Sequence, residues 1–290
     1  MRFDSLNADL RRWLQTSIED GHDRADIEQA MRAAGYDGGF ARQAVELALA
    51  QPQRASPAER QSQVVATSAA AQVAAGPGNT VTTSDRTVEI LMTLSSPRIV
   101  LFGGLLSEHE CEQMIEASRR KLHRSTVVNA ETGAYDVHPD RTSSGTHFER
   151  GEIELVARIE RRISELTGCP VENGEPLQVL HYTPGAEYKP HHDYFDPAQP
   201  GNEMVLATGG QRIATLVMYL NDVEAGGSTV FPSLGLDVLP RCGSAVYFAY
   251  ANGSGETDAR TLHGGSPVVA GEKWIATKWL RQRRYGGAGS

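Results

Sequence analysis

The chain has 290 residues, 40% of them apolar, with 36 acidic against 28 basic side chains and a net charge of -8. Its length exceeds the roughly 100–200 residues of one typical domain, so two domains are expected, and the acidic balance argues against a general binder of phosphate backbones while leaving room for a local basic patch, so no nucleic-acid partner is expected. Cys111, Cys169 and Cys242 form neither a disulfide framework nor a zinc-finger spacing; with no apolar core of a secretory signal at the N-terminus and no run near the ~18 apolar residues of a membrane span, a soluble, cytoplasmic protein is expected.

Leu6, Leu10, Trp13 and Leu14 recur at helical spacing. Ile27, Met31 and Ala34 mark a second helix after Asp26, stopped by Gly35, and Phe40, Ala44, Val45 and Leu47 to Leu49 a third after Asp37. Residues 1–50 are therefore expected to be a small three-helix bundle. It loosely resembles ubiquitin-associated-type modules, which implies binding of a protein partner or substrate and not chemistry. Residues 51–85 are rich in Ala, Gln, Ser, Thr, Pro and Gly. With so few large apolar groups they cannot offset the entropy of ordering, and a flexible linker is expected.

From residue 86 to 290 the texture is that of a second domain. RIVLFGGLLS predicts a strand and turn, then Ser107 and Glu110 form a capping box at the head of a helix carrying Cys111, Met114 and Ile115. Ile153, Val156, Ile159, Ile163 and Leu166 line one face of a helix over 152–167 that Gly168 stops. Beyond it, LQVLHY, RIATLVMYL, STVF, SAVYFAY and WIATKWLR predict strands separated by turn signals. The fold class expected is mainly β with helical support, a sandwich or jelly roll. No glycine-rich phosphate loop opens a helix, which disfavours a nucleotide fold. The turn-rich segments 129–147 and 196–210 are expected to close over a substrate.

The segment Tyr188-Lys189-Pro190-His191-His192-Asp193 carries the chemistry. In an extended strand residues i and i+2 share a face, so His191 and Asp193 can aim at one point while His192 faces away. His263 is the best third ligand. Two histidines and a carboxylate make the facial triad of non-haem iron oxygenases, which leaves three positions for a bidentate 2-oxo acid and dioxygen; a four-ligand zinc site would leave none for oxygen. An HxD alone is common, and His192 offers a competing register. His181, at a strand end, reads as a core or supporting histidine, and His22, His109, His123, His138 and His147 as solvated. Lys273, entering the last strand, reads either as a surface lysine or as a buried cation for the far carboxylate of 2-oxoglutarate. Tyr182 and Thr215 are the candidate hydroxyl partners.

These residues sit within a longer ordered series. Arg141-Thr-Ser-Ser-Gly, Gly174-Glu-Pro-Leu-Gln-Val-Leu-His-Tyr, Gly185 to Phe195, Gln211-Arg-Ile-Ala-Thr-Leu-Val-Met-Tyr-Leu-Asn-Asp, Gly226-Gly-Ser-Thr-Val-Phe-Pro and Gly271-Glu-Lys-Trp-Ile-Ala-Thr-Lys-Trp-Leu follow one another. From about Arg98 to Arg284 the chain resembles the catalytic domain of prolyl 4-hydroxylases, especially plant, algal and collagen enzymes. The resemblance implies a double-stranded β-helix with N-terminal helical support. It implies Fe(II) on His191, Asp193 and His263, and 2-oxoglutarate on Lys273, Tyr182 and Thr215. It places Arg141, Tyr188 and Trp279 along a peptide groove and makes L-ascorbate (vitamin C) the reductant that restores the iron. The implied activity is that of a 2-oxoglutarate-dependent dioxygenase (EC 1.14.11 type). It consumes O2 and hydroxylates a peptidyl proline at C4, with succinate and carbon dioxide as co-products. A free amino acid or small-molecule substrate, or a non-catalytic binding module on the same barrel, are the competing readings. Residues 1–85 have no counterpart in the familiar catalytic unit, and neither a signal peptide nor a C-terminal retention signal is read, so a secretory collagen-type substrate is not expected and a bacterial-style cytoplasmic member is.

Overall fold

The computed structural model describes residues 6–19, 23–34, 36–49, 78–125, 127–128, 135–136, 140–251 and 256–286. The chain divides into two compact units, residues 1–68 and 69–290.

In the first unit, helices α1 (Ala8–Glu19), α2 (Arg24–Ala33) and α3 (Gly38–Leu49) share one cluster of buried side chains. Leu10, Leu14, Ile27, Met31, Ala44 and Val45 form it, the apolar spacing having put each on its helix's inner face. Asp23 caps α2 by accepting from Asp26 N at 2.9 Å, and Asp37 accepts from the backbone of Gly39 and Phe40 ahead of α3. Gly35 and residues 51–77 lie outside the described residues.

The second unit is mainly β. Its strands in chain order are β1 (Thr80–Thr82), β2 (Thr87–Leu94), β3 (Ile99–Gly103), β4 (His123–Arg124), β5 (Val127–Val128), β6 (Tyr135–Asp136), β7 (Ser144–Phe148), β8 (Leu177–Tyr182) and β9 (Tyr188–His191). Then come β10 (Arg212–Tyr219), β11 (Ala225–Gly226), β12 (Thr229–Phe231), β13 (Leu236–Val238), β14 (Ala245–Ala249), β15 (His263–Gly265), β16 (Val268–Ala270) and β17 (Lys273–Arg281). A large antiparallel sheet has the order β1-β2-β3-β14-β10-β17-β8-β7-β4, and a small one the order β13-β12-β15-β9. The strands read from β-branched and aromatic runs fall where expected, β8 on LQVLHY and β17 over the last run.

Helix α4 (Glu108–Arg119) begins with the expected capping box of Ser107 and Glu110. Helix α5 (Glu154–Thr167) stops at Gly168, whose φ of 66° suits glycine. Their apolar faces, with Met114, Val156, Ile159 and Ile163, join the sheet residues in one continuous core. A third helix, α6 (Glu203–Gly209), lies inside the segment 196–210 expected to be a loop; its turn-rich composition hid a helix of only seven residues.

The sheet also starts earlier than composition indicated. β1 pairs with β2, Ser84 N and Oγ donate to Glu165, and Asp85 binds Arg162, which is 2% exposed. Residues 78–85 thus belong to the second unit and not to the linker expected over 51–85. Of the other turn-rich segment, 129–134 and 137–139 lie outside the described residues, and β7 fills its end.

Candidate metal centre

β9 and β15 lie antiparallel with His191 opposite His263. That register brings two imidazoles from chain positions 72 apart to ring centroids 4.5 Å from each other. The strands can approach so closely because Gly264 has no side chain: a Cβ there would stand 2.8 Å from Tyr188 O. Asp193 completes the group. Its Oδ1 is 3.6 Å from His191 Nε2 and its Oδ2 3.5 Å from His263 Nε2, and one ligand atom from each residue falls within 4.8 Å of the others.

Asp193 does not reach this position as the i+2 residue of a continuing strand. β9 ends at His191, and Asp193 sits in the bend that follows. The neighbouring head of β10 holds it there. Arg212 Nη1 donates to Asp193 O at 3.2 Å, Thr215 Oγ1 donates to Asp193 Oδ2 at 2.6 Å, and the Gln211 side chain bonds both Phe195 N and Phe195 O. Arg212 is itself fixed by two bonds to Glu175, at 2.6 and 2.8 Å, and Glu175 also accepts from Arg281 at 3.0 Å. In the sequence Gln211, Arg212 and Glu175 stand out only as parts of the family-like motifs. The available signal was a charged residue opening an otherwise apolar strand.

The imidazoles are oriented for metal ligation. His191 Nδ1–H donates to Lys189 O at 2.9 Å and His263 Nδ1–H to Thr261 O at 3.0 Å, the tautomers following from these acceptors. Both Nε2 lone pairs therefore face the carboxylate. His263 packs against the ring of Phe248 at 4.5 Å. Its burial pushes the imidazole pKa down to about 4, against the opposing pull of Asp193. Burial disfavours the charged form of Asp193, but the nearby His263, His191 and Arg212 outweigh it and hold the carboxyl below the usual range. Two imidazole nitrogens and a carboxylate on one side are a donor set a ferrous ion takes, with positions left open. His192 faces away from the site and stacks on Tyr194 at 4.6 Å, so the register built on His191 is the one the strands adopt.

A cavity of about 50 Å³ runs from this group between the two sheets. Lys273, Ile275, Thr277 and Trp279 of β17 line one wall, and Thr229, Gly264 and Gly265 of the small sheet face them. Lys273 is 2% exposed, and no carboxylate pairs with it among the described residues. Burial alone pushes its ammonium down to about 8. Its nearest aromatic support is Tyr182, directly opposite in the β8–β17 register, whose ring centroid is 5.4 Å from Nζ. Thr215, expected beside Lys273, points its hydroxyl at Asp193 and at Tyr250 instead. It is absent from the cavity lining, to which β10 contributes Val217.

The three expected groove residues all line the cavity. Arg141 bridges to Tyr188, lies 4.9 Å over its ring, and donates to Gln178 at 2.7 Å. Tyr188 stacks on His191 at 3.7 Å, and burial raises its phenol to about 12. Trp279 lies under Arg212 at 4.1 Å with its buried Nε1–H unpaired. His181 supports the fold by bonding Glu272 at 2.7 Å and stacking on Trp274 at 4.2 Å. His109, His123 and His147 are exposed, while His22 and His138 lie outside the described residues.

A sequence model of the 2OG-Fe(II) oxygenase superfamily matches residues 177–281. Prolyl 4-hydroxylase 5 of Arabidopsis thaliana is 42% identical over 220 residues, which cover 69% of this chain and 73% of that protein. Prolyl 4-hydroxylase 1 of the same plant is 43% identical over 204 residues, 65% of this chain and 70% of that one. Among solved structures, the viral collagen prolyl hydroxylase of Paramecium Bursaria Chlorella virus-1 in its 2OG complex is 32% identical, with a TM-score of 0.49. That alignment covers 63% of this chain and 95% of the viral one.

Proposed function

We infer the reaction from one premise: this chain belongs to the prolyl 4-hydroxylase family of 2-oxoglutarate- and Fe(II)-dependent oxygenases. It is a 2-oxoglutarate-dependent dioxygenase that uses Fe(II) and 2-oxoglutarate. Its substrate, in our reading, is a prolyl residue in a peptide or protein, hydroxylated at C4 with ascorbate as reductant. The observation that carries this is one cavity lined both by a His-Asp-His group able to hold a metal and by a buried lysine with no carboxylate partner among the described residues.

His191, Asp193 and His263 would hold the iron. When bound there, ferrous iron supplies dioxygen activation, which couples decarboxylation of 2-oxoglutarate to succinate with transfer of one oxygen atom to a C–H bond. Lys273 takes the far carboxylate of 2-oxoglutarate by a charge-assisted contact, with the Tyr182 ring beside it. The cosubstrate thereby supplies the anion that the fold withholds. Thr229, Ile275 and Thr277 line the wall beside it. Arg141, Tyr188 and Trp279 stand at the ring-lined side of the site and orient the peptide, Trp279 with a free indole N–H to offer. We read the two facing sheets as a double-stranded β-helix. The helices of residues 6–49, which share a core of their own, are read as a module for a protein partner. Three unpaired cysteines support a reducing compartment, the cytoplasm. Among the described residues no helix is long and apolar enough to cross a membrane.

The test is succinate release by the full chain with Fe(II), 2-oxoglutarate and ascorbate, followed with a proline-rich peptide, with free proline and with neither. Stimulation by the peptide alone, with one oxygen atom added at proline in its mass spectrum, is expected. Stimulation by free proline and not by peptide would move the substrate to a small molecule; release that needs neither Fe(II) nor 2-oxoglutarate would remove the dioxygenase reading.

A further inference from the structure

The Asp193 carboxylate has a partner that metal ligation does not require. Thr215 lies in the middle of β10, where its neighbours Ala214, Leu216 and Val217 are apolar core. A hydroxyl in such a row costs stability unless it is bonded, and valine would fill the same space. Thr215 is fully buried, and its Oγ1 stands 2.6 Å from Asp193 Oδ2 and 3.0 Å from the Tyr250 hydroxyl. An ionised carboxylate can only accept, so the Thr215 proton goes to Oδ2. Thr215 Oγ1 is then the acceptor for Tyr250, itself 2% exposed. The bonds form a one-way chain, from Tyr250 to Thr215 to Asp193 Oδ2. Tyr250 is fixed in turn by its backbone N–H on Ile213 O and by rings of Phe248 and Tyr194 at 5.9 and 6.0 Å.

We propose that Thr215, held by Tyr250, is a positioning residue that holds Asp193 Oδ2 and so fixes the orientation in which the carboxylate is offered to the metal. The proposal rests on the reading of Asp193 as a metal ligand. A carboxylate free to swing could bind through both oxygens and take a position that the 2-oxo acid needs. One oxygen held by a hydroxyl keeps the triad facial. Arg212 on the Asp193 carbonyl fixes the main chain, and Thr215 fixes the side-chain torsion; these are separate duties of one strand.

The test is Mn(II) binding to the metal-stripped full chain, read from the loss of the free-ion electron paramagnetic resonance signal, with a thermal melt on every variant. Asp193→Ala checks the underlying reading and is expected to lose binding. Thr215→Val is expected to weaken Mn(II) by about 10- to 100-fold, the usual consequence of removing a partner behind a metal ligand. Tyr250→Phe is expected to weaken it by roughly 2- to 12-fold, one neutral hydrogen bond, and Thr215→Ser to return affinity towards wild type. Wild-type affinity in Thr215→Val, beside lost binding in Asp193→Ala, overturns the proposal and leaves the ligand assignment standing. Wild-type affinity in Asp193→Ala overturns both. Should Thr215→Val melt early, Thr215→Ser and Tyr250→Phe decide. A serine variant that stays weak, or a phenylalanine variant that binds as wild type, overturns the relay.

Discussion

The two faces of β17 each bury a lysine to 2% exposure and treat it in opposite ways. Lys278, on the face that meets α5, is paired with Glu160 at 2.5 Å, and Glu160 also accepts from Gly151 N at 3.0 Å. Gly174 makes room for it, since a Cβ there would stand 2.4 Å from Lys278 Cε. Lys273, five residues earlier and on the cavity face, has no carboxylate paired with it among the described residues. A buried charge with an internal partner is architecture. A buried charge without one either loses its proton or takes a counter-ion from outside, and in the proposed function Lys273 takes the second course. The same distinction separates Arg212 and Arg281, which share Glu175, from Lys273.

Removing a metal ligand is the largest break available on the cavity face. Asp193→Ala is expected to abolish peptide-dependent succinate release while the melting curve stays cooperative; turnover with bound iron in that variant would contradict the triad. On the helix face, Lys278→Ala strands the Glu160 carboxylate in the core. It is expected to cost about 3–5 kcal/mol of stability, measured by denaturant unfolding, with the 2-oxoglutarate KM unchanged. The double replacement Lys278→Met with Glu160→Leu should regain most of that loss, because the pair leaves together.

Lys273→Ala should do the reverse, raising the 2-oxoglutarate KM by roughly 10- to 150-fold, the worth of a charged hydrogen bond, while stability holds or improves. An unchanged KM would mean that another cation holds the carboxylate. The same lysine sets a pH dependence. Its folded pKa is depressed to about 8 by burial, so below pH 8 the free enzyme already carries the ammonium and KM is flat. Above it the dicarboxylate must draw in a proton, and KM should climb by up to about tenfold per pH unit. A flat profile through pH 9 would remove the lysine from cosubstrate binding. The smallest effect is expected from truncation. Deleting residues 1–77, which spares β1 and the Asp85–Arg162 pair, should leave basal decarboxylation unchanged; a cut after residue 85 removes both and should lower the melting temperature.

Much of this was legible beforehand. The long apolar strands, the capping box of α4 and the glycine stop of α5 are local patterns, and local patterns survive folding when the core agrees with them. Short elements were not. β1 has three residues and α6 seven, too few for a period to emerge from composition. The cavity lysine was identified from its place ahead of a strand. The hydroxyl assigned to it was not, because whether Thr215 serves Lys273 or Asp193 depends on which neighbouring segment packs over the middle of β10.

Sequence alone supplied the candidates His191, Asp193, His263 and Lys273, with a chain able to form strands around them, because residue type and alternation are written residue by residue. Only the tertiary structure decided how they meet. Two strands 72 residues apart had to pair in one register, a bend after β9 had to be caught by Arg212 and Thr215, and Glu160 and Glu175 had to neutralise Lys278, Arg212 and Arg281 while Lys273 kept no carboxylate partner among the described residues. Those outcomes are set by packing between distant segments, which no local pattern encodes.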